Sequence, residues 1–125
     1  MKRFERANIM ILYDFEYERP SSLQEATALL SETGEGAKLL AGGTDLMPNM
    51  RVEVITPSLL VSLSAIEAVA PEKSTDGSIK IDALIKLSDL VDDELIQREL
   101  PMLAEAAHTV AGNQVRVMGT LGGNL

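Results

Sequence analysis

Two glycine-broken stretches constrain this chain more than any other feature: "LLAGGTDLMPNM" at residues 39–50 and "VRVMGTLGGNL" at residues 115–125. Each halts a strand-like apolar run at glycine and adds a threonine. Gly42, Gly43, Gly119, Gly122 and Gly123 account for five of the nine glycines. Without a Cβ, glycine lets backbone amides lie against a ligand and permits positive φ angles that aim successive N–H groups into one concavity. Thr44 and Thr120 add hydroxyl donors, and a helical turn opening after Gly43 would add its own unpaired amides. On the residues alone the pair points to an anion such as phosphate, while either loop taken singly reads as an ordinary turn. Neither matches the G-x-G-x-x-G spacing or the Gly-Lys-Ser/Thr of a P-loop.

The text around the loops predicts an α+β chain. Leu12 to Tyr17 alternates like a short strand that Pro20 closes. Ser22 and Glu25 form an S-x-x-E capping box ahead of a helix with Leu23, Ala26, Leu29 and Leu30 on one face, ended by Gly34 and Gly36. Lys38 to Ala41 and Leu59 to Leu63 read as buried strands, with a short helix over Met47 to Val52 between them. This β-α-β order forces parallel pairing. Beyond Ile66 the texture changes. Val69 to Pro71 and Ile79 to Ala83 flank Asp76-Gly77, a favoured hairpin turn. Two helices follow, one capped by Ser88 and carrying Leu90, Val91 and Leu95. The other starts at Pro101, presents Leu103, Ala106, Ala107 and Val110, and stops at Gly112. The expected organisation is a small parallel three-stranded α/β subdomain over residues 10–65. From about Ile66 a hairpin and two helices are expected.

Composition excludes several function classes. With 11 basic against 19 acidic residues the net charge is −8, which disfavours nucleic acid. There is no cysteine and a single histidine, His108, so thiolate and histidine-rich metal sites are excluded. Asp14 and Glu16 interrupt the apolar stretch from Ile9 to Leu12 before it reaches the length of an export signal, and no segment is long enough to span a membrane. A cytoplasmic protein is expected. At 125 residues and 46% hydrophobic content the chain can build a modest core.

"LLAGGTDLMPNMR" followed by "VAGNQVRVMGTLGGNL" resembles the FAD-binding, or medium, subunit of the molybdenum hydroxylases, the xanthine dehydrogenase, carbon monoxide dehydrogenase and 4-hydroxybenzoyl-CoA reductase type. The connecting text "YERPSSLQEATALL", "LVSLSAIEAV" and "LPMLAEAAHTVAG" is similar as well. The resemblance runs from about Met10 to Leu125, and it implies that residues 1–9 are an extension or a misassigned start, that residues 66–125 are the first part of an antiparallel sheet subdomain, and that the family continues beyond the second loop.

The resemblance also implies a FAD cofactor whose diphosphate is gripped from opposite sides. Ala41, Gly42, Gly43, Thr44, Asp45 and Leu46 would form one loop, and Thr120, Leu121, Gly122, Gly123 and Asn124 the other. It implies an FAD-dependent oxidoreductase subunit, inactive in isolation, that passes electrons between an iron-sulfur partner and NAD or another acceptor. An iron-sulfur small subunit and a molybdopterin large subunit would be its partners. Two readings compete: a partner-docking chain without stable flavin, and a general phosphate-binding domain. Val117 departs from the asparagine that many relatives carry after V-R, and Val110 stands where some place an aromatic. Asp45 is expected to brace its loop through nearby N–H groups, with a ribose contact as the alternative. His108 is expected to be a solvated surface residue. Arg116 is read as a surface charge or as facing the diphosphate or a partner, and the six methionines as core filler.

Overall fold

A computed structural model describes residues 13–125. The expected extension over residues 1–9, the apolar stretch Ile9 to Leu12 and the first residue of the expected Leu12–Tyr17 strand lie outside that range.

The first half is the expected parallel unit. Strands β1 (Glu16–Glu18), β2 (Ala37–Leu40) and β3 (Leu59–Ser62) pair in the order β1-β3-β2, all parallel. Helix α1 (Leu23–Thr33) crosses between β1 and β2, and α2 (Leu46–Arg51) between β2 and β3. All four residues of central β3 are buried, as a strand covered on both faces requires. Leu59 and Val61 cluster with Ala26 and Ala37 beneath α1, with Leu29, Leu30 and Leu63 around them. Strand alternation turns Leu60 and Ser62 to the other face.

Helix α1 starts where the capping box predicts, with the Ser22 hydroxyl accepting from the Glu25 amide at 3.2 Å. The reciprocal half is displaced by one residue: Glu25 accepts from the Ser21 amide and hydroxyl at 2.8 and 3.0 Å. Those donors hold the Glu25 carboxyl below its usual range. Gly34, at φ +66°, ends the helix.

A second apolar cluster is built from Ile85, Leu87, Leu90, Ile96, Ala104 and Ala107. Here local expectations needed correction. The antiparallel ladder is only β4 (Glu72–Lys73) with β5 (Ile79–Lys80), not Val69 to Pro71 with Ile79 to Ala83. The Asp82 carboxylate takes the Val69 amide at 3.0 Å and the Leu84 amide at 2.8 Å, which removes both flanks from the ladder. The turn is where Asp76-Gly77 places it, with Gly77 at φ +87° and Asp76 accepting from the Ser78 amide at 2.9 Å.

The helix expected to be capped by Ser88 is two. Helix α3 (Leu87–Asp92) opens ahead of Ser88 with Lys86 at the cap position, whose ammonium cannot accept an N–H, and the Leu87 amide goes to the Gly119 carbonyl at 3.0 Å. Asp93 then breaks the run and caps α4 (Glu94–Glu99) by accepting from the Ile96 amide at 2.9 Å. Helix α5 (Pro101–Thr109) carries Pro101 in its first turn. It buries Ala104 and Ala107, with Leu103 and Val110 packed against them, whereas Ala106 is exposed.

The largest correction concerns residues 115–125. The run that reads as a strand forms α6 (Asn113–Arg116), and the Gly-Gly stretch forms α7 (Leu121–Asn124). Gly112 offers its carbonyl to both the Val115 and Arg116 amides at 3.0 and 3.1 Å, and this local closure overrides the β-branched composition. Only an isolated antiparallel bridge, Lys86 with Thr120, survives of strand character there.

Candidate functional site

The two glycine loops meet. A Cβ on Gly42 would lie 2.2 Å from the Met118 carbonyl oxygen and 2.9 Å from the Gly119 Cα, so only glycine allows this approach of backbone to backbone. A Cβ built at Gly119 would sit 3.6 Å from the Thr44 hydroxyl oxygen, and one at Gly123 3.8 Å from the Ala41 Cβ. Between the loops lies a cleft of about 180 Å³. Its walls include Ala41, Gly42, Gly43, Thr44, Asp45 and Leu46 from the first loop and Thr120, Gly123 and Asn124 from the second.

Chain geometry explains how the first wall forms. Beyond Leu40 the β2 ladder stops, Gly43 takes φ +73°, and α2 begins at Leu46. Six consecutive amides, Ala41 to Leu46, have no protein acceptor among the described residues, and the first intrahelical bond starts at the Met47 amide. Strand end, glycine turn and helix start thus leave an unbroken row of unused donors in the residues of one cleft wall.

The second wall is built differently. The amides of Gly119, Leu121 and Gly122 go to the carbonyls of Val115, Ile85 and Ala83 at 2.7, 2.9 and 2.8 Å. Buried Thr120 accepts from the Gly123 amide through its hydroxyl at 3.1 Å, capping α7. Among residues 118–124 only the Thr120 amide has no acceptor among the described residues.

Among the described residues no Lys or Arg side chain lines the cleft. Lys86 is close by but donates to the Met118 carbonyl at 3.0 Å. The exposed Asp45 carboxylate stands at the rim and makes no side-chain hydrogen bond among the described residues, so the expected bracing of the loop is absent. It is the Asp45 carbonyl that is used, accepting from the Asn49 side chain at 2.9 Å.

Of the eleven residues expected at the site, Leu121 and Gly122 fall outside the cleft lining. Leu121 packs on the second apolar cluster. Leu39, Leu87, Val110, Val115 and Gly119 complete the walls. Leu87 and Val115 carry no local signal, since the Lys86–Thr120 bridge and the turn after α5 bring them in. Arg116 is not part of the cleft lining and donates to the Val110 and Ala111 carbonyls at 3.0 and 2.7 Å. His108 is exposed, as expected. Of the methionines, Met50 is fully buried, whereas Met102 and Met118 are exposed. No group of His, Asp and Glu suited to a metal ion occurs among the described residues. None of their helices is long and apolar enough to cross a membrane.

Neutral donors of this kind suit an anion, and the comparisons with known proteins give the family in which this cleft occurs. Residues 13–125 match the family model described as the FAD binding domain in molybdopterin dehydrogenase. The carbon monoxide dehydrogenase medium chain of Hydrogenophaga pseudoflava is 40% identical over 116 residues, covering 93% of this chain and 40% of the relative. The 6-hydroxypseudooxynicotine dehydrogenase complex subunit alpha of Paenarthrobacter nicotinovorans is 37% identical over 111 residues, 89% of this chain and 38% of the relative. Reconstituted CO dehydrogenase from Oligotropha carboxidovorans superposes with a TM-score of 0.87 at 36% identity, over 91% of this chain and 40% of that one. The chain therefore spans about two-fifths of the length of these relatives.

Proposed function

Because this chain belongs to the family of FAD-binding domains in molybdopterin dehydrogenases, we propose that it is the diphosphate-gripping part of an electron-transfer flavoprotein subunit. The observation that carries this reading is the row of six amides, Ala41 to Leu46, without acceptors among the described residues, in residues that line the cleft together with Thr120. FAD fits this donor set. The amides of Ala41 to Leu46 and the hydroxyl of Thr44 would hold the diphosphate from one side, and the Thr120 amide and Asn124 side chain from the other, with Gly123 leaving room for it. Leu121 and Gly122 would support that second wall from behind, through the apolar cluster and the Ala83 carbonyl. FAD, when bound, supplies the redox step. The chain's own residues bind and orient it, and none is required as an acid or base.

The wider assignment extends the same reading. Electrons pass between an iron-sulfur small subunit and NAD or another acceptor, in a cytoplasmic complex with a molybdopterin large subunit. Residues 10–65 and 66–125 act as two subdomains with the cleft at their seam. Their separate apolar clusters and separate sheets support that division.

The cleft, at about 180 Å³, is smaller than the ~300 Å³ at which sites for whole drug-sized ligands begin. It accommodates the diphosphate but not the adenine and flavin rings, whose burial supplies much of a cofactor's affinity. Titration of FAD into the 125-residue chain, followed by flavin fluorescence, should therefore give a dissociation constant weaker than micromolar. Gly43→Val should abolish binding, and the remainder of the Hydrogenophaga medium chain supplied in trans should tighten it. Absence of binding under both conditions, or binding indifferent to Gly43→Val, would overturn the proposal.

A further inference from the structure

We infer that Arg116 is a positioning residue for the cleft: its guanidinium clamps the turn after α5 and so holds Val110 in the cleft wall. The inference rests on the FAD reading of that cleft. Helix α5 ends at Thr109, and its last carbonyls lack helical partners. The chain must then reverse within three residues to start α6 at Asn113. It does so through Ala111 at φ +44°, a conformation disfavoured for any residue with a Cβ. Among the described residues no backbone hydrogen bond uses the Ala111 amide or carbonyl to reward that choice.

Arg116 does. One terminal guanidinium nitrogen donates to the Val110 carbonyl at 3.0 Å and to the Ala111 carbonyl at 2.7 Å. Both acceptors belong to the strained turn, and the half-buried cation sits at the C-terminal, negative end of α5. The clamped residue matters to the site. Val110 packs against the second apolar cluster on one side and lines the cleft on the other. Val115, immediately before Arg116, lines the cleft too, and its carbonyl takes the Gly119 amide at 2.7 Å. Release of the turn would therefore loosen one cleft wall without removing any group that touches the ligand.

The test uses the 125-residue chain with Arg116→Met, Arg116→Lys, Ala111→Gly and the Arg116→Met/Ala111→Gly pair. NMR gives the Val110 methyl positions without ligand and, by titration, the dissociation constant for FAD into the millimolar range. Arg116→Met should displace the Val110 methyl signals and weaken FAD about tenfold. Arg116→Lys, which keeps a cationic donor, should recover part of both effects. The double variant should recover most of both, because glycine adopts the left-handed turn without a clamp.

Unmoved Val110 methyls, or a dissociation constant within about twofold of the parent, would make Arg116 a general stabilising charge and overturn the inference. If Arg116→Met fails to fold, the double variant decides. Recovery of the parent's Val110 signals supports the clamp, and continued failure to fold overturns it. A parent chain that takes up no FAD overturns the cofactor reading and the positioning role with it. The ligand-free methyl positions would still separate that outcome from a clamp that does not exist.

Discussion

The two walls of the cleft use glycine and threonine for opposite purposes. In the first, Gly43 turns the chain and the amides from Ala41 to Leu46 are left without acceptors among the described residues. In the second, nearly every amide is spent on the protein, and Thr120 is buried as a helix cap. One wall is a donor array and the other a brace. A shared G-G-and-threonine vocabulary thus conceals a division of labour. Unsatisfied donors are tolerable only where a ligand or water meets them, so the first wall belongs to binding and the second to stability.

The largest test is at the joint, where the division should fail. Gly42 belongs to the donor wall, yet its Cα faces the Met118 carbonyl so closely that any side chain collides with backbone. Gly42→Val should destabilise the chain by about 3 kcal/mol, at the upper end of overpacking costs, and abolish FAD binding. At Gly122 an added Cβ meets the Ala83 Cβ at 2.9 Å and its carbonyl oxygen at 3.0 Å, a less severe approach than the 2.2 Å at Gly42. Gly122→Ala should cost about 1 kcal/mol. Thermal unfolding of both variants checks the ranking. Equal melting temperatures would mean that the loops are not locked together at Gly42.

How much of this was legible beforehand follows the same division. The donor wall could be read because its signals are local: glycine for the positive φ at residue 43, a strand before it and a helix after it. The capping box at Ser22 and the turn at Asp76-Gly77 were readable for the same reason. The brace was not. Val115 and Val117 look like strand residues, yet their amides close on the Gly112 and Asn113 carbonyls, and the tertiary bonds from Leu121 to Ile85 and from Leu87 to Gly119 then fix the segment at the cleft. Local composition cannot show that Asp82 removes Val69 from a ladder, or that Asp93 divides a helix. The resemblance named both loops as one site, yet it could not say which of their residues face the cleft and which face away.

A paired threonine experiment sharpens the comparison. Thr120→Val removes the hydroxyl that caps α7 and should cost about 1 kcal/mol of stability, weakening FAD indirectly. The Thr44 hydroxyl lines the cleft and has no partner among the described residues. Thr44→Val should therefore leave the melting temperature nearly unchanged, while weakening FAD by the ~1 kcal/mol of one hydrogen bond, about fivefold. Unfolding curves with and without FAD separate the two variants. A Thr44→Val chain as destabilised as Thr120→Val would show that the first wall braces too.

The smallest effect is expected at Asp45, which also decides between its remaining roles. Its carboxylate is exposed at the cleft rim, makes no hydrogen bond among the described residues, and stands beside amides suited to an anion. A like charge at that place opposes a diphosphate through solvent, where the interaction is weak and screened by salt. Asp45→Asn should consequently tighten FAD by about two- to threefold at low ionic strength, with the gain fading as salt is raised. The same substitution removes a negative charge before α2, whose N-terminus favours one, so the unliganded chain should become slightly less stable. A ribose contact predicts the reverse in binding: Asp45→Asn would weaken FAD, and salt would not restore it, because a hydrogen bond to a hydroxyl is not a long-range charge effect. Titrations of both proteins at two salt concentrations distinguish the cases by sign. A weakened, salt-insensitive variant would move Asp45 from the rim of the donor wall into the binding set itself.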